Sequence, residues 1–326
     1  MNPRVLPYEP RAGQGTGPFS GESATRPPRR ARFGYGAPVF RDLFFRSRDG
    51  LDLYARDYAP SGEDRRAPLV ALHGLTRNSR DFEDFAPKAA ALGHRVLVPD
   101  TRGRGRSAWD ASPERYHPFT YADDVRALLE AAGERAAGFV GTSMGGIVTF
   151  VVATMSPELV LGALVNDVGP ELSPVGLGRI ASYVGKGSPV LTWDDARAYA
   201  KRTSGVAYPR YTDADWDTFA RRIFDEGPEG RPVLAYDPAI ARAFATQNRD
   251  GAAEGSTWDA FSRMVARVPT VLVRGGISDL VDEPIATKMK ERAPELTVVS
   301  VPDVGHTPTL VEPEAWDAFV TWSKRL

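Results

Sequence analysis

The residues with the clearest chemical potential lie at positions 139–146, Phe-Val-Gly-Thr-Ser-Met-Gly-Gly. They contain Gly-x-Ser-x-Gly, set between an apolar run and a segment of helical character. A strand that turns directly into a helix forces the residue at the turn, Ser143, into a strained backbone conformation. The flanking glycines leave room for so tight a turn. The hydroxyl then projects from the strand end. The helix start beneath it offers free N–H groups and the positive end of a dipole. Such a serine is a candidate nucleophile for acyl transfer; in isolation the same residues read as an ordinary Gly-rich turn.

A serine nucleophile needs a base to take its proton. The chain has no cysteine and only four histidines, His73, His94, His117 and His306. The missing cysteines exclude thiolate nucleophiles, disulfides and Cys-ligated metal sites. His94 follows Gly93 at the opening of a strand, where it is expected to be packed or exposed. His117 stands in a Tyr-His-Pro loop and is expected to be exposed. His73 and His306 each follow an apolar run.

Those side chains need elements to position them. Residues 39–47 and 51–59 read as strands around the turn signal Asp49-Gly50. The short apolar run 67–72 reads as a strand buried on both faces of a parallel sheet, and 95–99, 138–140, 161–165, 268–273 and 296–301 read as further strands. Helical spacing appears at 78–92, 121–132, 143–155, 283–293 and 313–324. Between Gly169 and Met264 the pattern turns helical, clearest at 194–201, 213–224 and 237–246, whose acidic first turns suit helix starts. Alternating strands and helices predict an α/β architecture with a mostly parallel sheet covered on both faces.

With Ser143 at a strand-to-helix elbow in this alternation, the chain resembles a serine hydrolase of the α/β-hydrolase superfamily with an inserted helical cap. The resemblance covers about residues 39–326. It implies an eight-stranded, mostly parallel sheet and a Ser–acid–His order along the chain. Aspartate in place of Ser143 would have pointed to a haloalkane dehalogenase or epoxide hydrolase. By this pattern the base is His306, in Val-Gly-His-Thr-Pro-Thr after the last strand. The acid is expected at Asp279, after strand 268–273, with Asp167 and Asp282 as rivals. Asp167 also reads as a turn or helix cap. The oxyanion donors are expected to be the backbone N–H groups of Met144 and Leu75. The resemblance gives His73 a scaffold role, and the segment Asp100–Ser107 the task of bracing the loops around the nucleophile.

The Gly-x-Gly within that segment lacks the full dinucleotide fingerprint. No Walker loop or His-Glu-x-x-His occurs either. No cofactor and no metal are therefore expected. The domain reading is an arm rich in Pro, Gly and Arg at 1–38, a core at 39–169 and 265–326, and a cap at 170–264. Forty-one basic against 42 acidic residues give a net charge of −1, with no global field to hold nucleic acid or an anionic membrane. The chain shows neither a spanning apolar stretch nor a signal-like segment, so a cytoplasmic location is expected.

The cap is rich in aromatic residues, which predicts a fairly apolar small-molecule acyl substrate. The favoured reading is a cofactor-free hydrolase of an ester, lactone or thioester. A carbon–carbon bond hydrolase, a perhydrolase or a ligand-binding receptor with vestigial activity fits the same residues. Oligomeric state is not legible.

Overall fold

The computed structural model describes residues 40–61, 65–186, 190–250 and 254–326. The expected arm at 1–38 lies outside the described residues. The first strands, β1 (Phe40–Arg46) and β2 (Asp52–Tyr58), pair antiparallel. Gly50, with φ of 86°, makes the turn between them. The other sheet strands are β3 (Leu69–Leu72), β4 (Val96–Asp100), β5 (Ala137–Thr142) and β6 (Val160–Asn166). Two short strands of the inserted segment, β7 (Phe224–Glu226) and β8 (Pro232–Leu234), form a separate hairpin. The last two sheet strands are β9 (Thr270–Gly275) and β10 (Thr297–Val301).

Eight strands make one sheet in the order β1-β2-β4-β3-β5-β6-β9-β10. Strand β2 runs antiparallel to both neighbours and the rest run parallel. The central strands are buried along their whole length because helices cover both faces. On one face Val70, Leu72, Leu97 and Phe139 meet α2 (Pro118–Ala132) and α3 (Met144–Met155). On the other, Leu69, Ala71, Val96 and Val140 meet α1 (Phe85–Ala91) and α10 (Pro313–Ser323) through Phe85, Phe319 and Trp322. Alternate residues of one strand therefore feed opposite cores. The single helix expected at 78–92 divides into a 3-10 turn, Ser79–Phe82, and α1. Pro87 has no N–H to donate, so it is accommodated in the first turn of a helix that starts just before it.

The inserted segment holds α4 (Pro174–Tyr183), α5 (Trp193–Ser204), α6 (Asp213–Ile223), α7 (Ile240–Asp250) and α8 (Glu254–Arg267). Helices α5 and α6 each begin with a capping box, Thr192 with Asp195 and Thr212 with Asp215. Their apolar faces pack on one another through Tyr199, Trp216, Phe219 and Ile223. Helix α8 differs. Trp258, Phe261, Met264 and Val265 pack with Phe150 of α3 and Val165 of β6, beside α9 (Glu283–Arg292). The last helix of the expected cap of 170–264 thus packs on the layer that covers the sheet.

Candidate active site

The site forms where β3, β5, β6 and β9 end. Strand β5 runs into Ser143, whose φ of 53° and ψ of −118° lie outside the ordinary regions for a residue with a side chain. The turn closes only because small residues flank it. A Cβ on Gly141 would stand 2.6 Å from the Gly145 carbonyl carbon, and one on Gly145 would run into the Leu72 carbonyl oxygen. A hydrogen bond from Ser143 N–H to the Asn166 carbonyl, 2.9 Å, ties the elbow to β6.

His306 reaches Ser143 from the loop after β10. Its Nε2 lies 2.9 Å from Ser143 Oγ, and its Nδ1 lies 2.7 Å from Asp167 Oδ2. Asp167 directly follows β6 and is fully buried. Its φ of 55° turns the side chain back over the strand ends, a conformation that Asp tolerates better than most residues. Oδ1 accepts from Gly275 N–H at 3.0 Å, and Oδ2 accepts from the Ser278 hydroxyl at 2.6 Å. The carboxylate therefore holds three donors and fixes the imidazole with its proton on Nδ1. Nε2 is left free to accept from Ser143.

The structure places Asp167, and not the expected acid Asp279, against His306. The Asp279 carboxylate is engaged on both oxygens by Arg179 of α4, at 2.5 and 2.8 Å, and makes no hydrogen bond to His306. Burial raises its pKa, but the Arg179 guanidinium outweighs that and holds it below the usual carboxylate range. Strands β6 and β9 are parallel neighbours, so Asp167 and Asp279 follow strands that end at the same edge of the sheet. Asp282, the other rival, caps α9 by accepting from Ile285 N–H at 3.0 Å.

Leu75 lines the same cavity as Ser143, and Met144 follows Ser143 in the chain. The Met144 N–H is the first of α3 and so lies outside its hydrogen-bond ladder. Buried His73 accepts from Thr101 N–H on Nε2 (3.0 Å), so its proton is on Nδ1, which donates to the Gly74 carbonyl (2.8 Å). That carbonyl shares a peptide plane with the Leu75 N–H, so His73 sets the direction of the donor. Burial pushes the His73 imidazole down to about 4, which keeps it neutral at pH 7.

Arg104 was not singled out from the sequence. It is fully buried and donates to the Leu75 carbonyl (3.0 Å), the Arg102 carbonyl and the Tyr121 hydroxyl (both 2.8 Å). It also touches Met144 Sδ at 3.5 Å. Arg102 beside it is held by Asp49, Asp110 and Asp124. His94 donates to the Ala67 carbonyl through Nδ1 (2.7 Å), and His117 caps α2. Neither lines the cavity over Ser143.

That cavity is open to solvent. Leu75, Ser143 and His306 form its floor. Its other walls include Arg77, Arg179, Tyr183, Tyr199, Tyr208 and Phe219. The lining is mixed rather than predominantly apolar, because Arg77 from the loop after β3 and Arg179, Tyr183, Tyr199 and Tyr208 from the inserted segment share it. Among the described residues, no group of three or more His, Asp or Glu is placed to hold a metal ion. No helix among them is long and apolar enough to cross a membrane.

The family model described as "Alpha/beta hydrolase family" matches residues 69–322. The chain belongs to the alpha/beta hydrolase family. It is an enzyme of that family, with the eight-stranded sheet the sequence led one to expect. A 3-hydroxybutyrate-oligomer hydrolase of Cupriavidus necator is 35% identical over 250 residues, covering 75% of this chain and 84% of that protein. An esterase of Mycobacterium tuberculosis is 26% identical over 258 residues, covering 76% and 79%. A crystal structure of an alpha/beta hydrolase from Novosphingobium aromaticivorans superimposes with a TM-score of 0.82 at 38% identity. It covers 89% of this chain and all of that one.

Proposed function

We propose that this alpha/beta hydrolase cleaves carboxylic esters through Ser143, His306 and Asp167. The observation that carries the reading is the continuous hydrogen-bonded line from Ser143 Oγ through His306 to the buried Asp167 carboxylate. Ser143 Oγ attacks the ester carbonyl while His306 Nε2 takes its proton. Asp167 keeps the imidazole in the required tautomer and stabilises its positive charge. The N–H groups of Leu75 and Met144 receive the oxyanion. His306 then protonates the leaving alcohol. The acyl group stays on Ser143 until a water, deprotonated by His306, releases it as the acid.

The relative from Cupriavidus necator, by its name, hydrolyses 3-hydroxybutyrate oligomers. This supports short hydroxyacyl esters as the first substrates to assay. The deciding experiment combines hydrolysis of 4-nitrophenyl butanoate with labelling by a fluorophosphonate probe. Wild-type enzyme turns over the ester and is labelled, whereas Ser143→Ala and His306→Ala do neither. Retained turnover in Ser143→Ala overturns the reading.

A further inference from the structure

Two arginines in the wall of the cavity are held in a way that the proposed proton transfers do not require. Arg77 follows the β3 turn, and its side chain lies over the Phe219 ring, 4.1 Å from the centroid. Asp81 grips it on one edge, with Nε at 3.0 and 2.8 Å from the two carboxylate oxygens and Nη2 at 2.6 Å from Oδ1. Arg179 on α4 is gripped on the same edge by Asp279, which uses Nε and Nη2. Neither guanidinium takes a second carboxylate or a carbonyl among the described residues, though Arg179 also bonds the Tyr183 hydroxyl. Arg102 and Arg104, buried next to the site, behave differently. Each of their guanidinium nitrogens is engaged. The two in the cavity hold fewer protein groups: Asp81 in the case of Arg77, and Asp279 with the Tyr183 hydroxyl in the case of Arg179.

Their placement is also specific. Arg77 Cγ and Ser143 Cβ lie 3.4 and 3.7 Å from the point a Cβ on Gly74 would occupy. The base of the arginine thus stands within about two atom diameters of the nucleophile. Arg179 stands across the cavity, paired with a carboxylate close enough to His306 to feel its charge. The Tyr183 hydroxyl lies within the influence of both guanidinium groups. Both arginine side chains are about four-fifths buried, at 19% and 18% exposure. An acyl chain entering above Ser143 displaces water from these donors. A plain alkyl chain offers nothing in return for the water lost, which costs free energy. A chain with an oxygen acceptor satisfies them.

We infer that Arg77 and Arg179 select esters whose acyl part carries a second, uncharged oxygen function, a hydroxyl or a further ester carbonyl. The acceptor is uncharged because each arginine is already balanced by its own aspartate. A free carboxylate in the same place meets Asp81 and Asp279 as well as the guanidinium groups, with no net positive charge to offset its desolvation. The inference rests on the ester-hydrolase reading above and deepens it by naming the substrate class.

The test compares kcat/KM of the full-length enzyme for ethyl butanoate, ethyl 3-hydroxybutanoate and monoethyl succinate, following acid release by titration. The wild type is expected to favour the hydroxy ester over the plain ester by tenfold or more, and over the charged ester as well. Arg77→Met and Arg179→Met are expected to lower the hydroxy-to-plain ratio at least fivefold, mainly through KM for the hydroxy ester. Each single variant leaves an unpaired aspartate. The pairs Arg77→Met with Asp81→Leu, and Arg179→Met with Asp279→Leu, therefore serve as charge-balanced versions. Equal efficiency on plain and hydroxy esters, a preference for the succinate, or a ratio preserved in both double variants overturns this inference alone. Failure to turn over any of the three esters, with Ser143 unlabelled by the fluorophosphonate, overturns the ester-hydrolase reading and this inference together.

Discussion

Replacing Asp167 by Asn separates the two carboxylates that compete for the role of triad acid. The side chain keeps its volume, and Gly275 N–H, 3.0 Å from Oδ1, still needs an acceptor. The amide oxygen therefore stays on Gly275, and the amide NH₂ takes the place of Oδ2, facing His306 Nδ1 and the Ser278 hydroxyl. A donor now meets a donor. The imidazole relieves this by moving its proton to Nε2, where it can no longer accept from Ser143. In triads of this geometry the wrong tautomer costs about 10⁴ in kcat, or about 5 kcal/mol of transition-state stabilisation. Asp279→Asn breaks the contact with Arg179 instead. It is expected to lower stability by about 1–2 kcal/mol, between the values for exposed and fully buried ion pairs. Its effect on kcat for a plain ester is expected to stay within tenfold. Steady-state hydrolysis of 4-nitrophenyl butanoate by both variants, each checked by urea denaturation, decides the matter. A large kcat loss in Asp279→Asn beside an active Asp167→Asn refutes the assignment.

Three further outcomes follow from the supports of the site. Arg104→Met removes a charged donor from the Leu75 carbonyl and is expected to cut kcat by about 10- to 100-fold, in line with about 1.5–3 kcal/mol for such a bond; KM should change less, and an unaltered kcat in a folded variant contradicts a positioning role. Gly145→Ala drives a methyl into the Leu72 carbonyl and is expected to cost about 1–3 kcal/mol or more, measured as a fall in the urea midpoint. His73 is neutral when folded, with its pKa lowered to about 4 by burial, so the unfolded chain binds the extra proton between pH 6.5 and 4. Stability therefore rises with pH across that window, by about 3 kcal/mol from this residue. Comparing wild type and His73→Gln by urea denaturation at pH 4.5 and 7 should show a weaker pH dependence in the variant. An identical dependence speaks against a buried neutral imidazole.

The parts of the site set by local chemistry were legible before the structure. Ser143 announces itself through two glycines and a strand-to-helix change, and His306 through its place after the last strand. The strands and the helices that flank the sheet were legible for a similar reason, since period and burial are local properties. The acid was not. Asp167 and Asp279 both follow apolar strands, and the choice between them depends on Arg179, one hundred residues before Asp279. The basic residue in Val-Gly-Leu-Gly-Arg179 was the hint that Asp279 had another partner, but no spacing rule connects the two. The segment around α4 carries two glycines, which weakened its helical signal. Helix α8 reads like its neighbours in the insertion, and only the contacts of Trp258 and Phe261 assign it to the core.

The adjacency of β6 and β9 has a consequence for how such an enzyme can be altered. Their ends are two sockets one strand spacing apart, about 4.8 Å, and a carboxylate in either lies within range of one imidazole. Here the carboxylate in the first holds His306, and the one in the second holds α4 through Arg179. Because the tasks fall to different residues, the contact between Asp279 and α4 can be tightened, loosened or recharged while the line from Asp167 to Ser143 keeps its atoms. The contact with the inserted segment and the contact with the imidazole thus sit on neighbouring strands of the same sheet as separate residues.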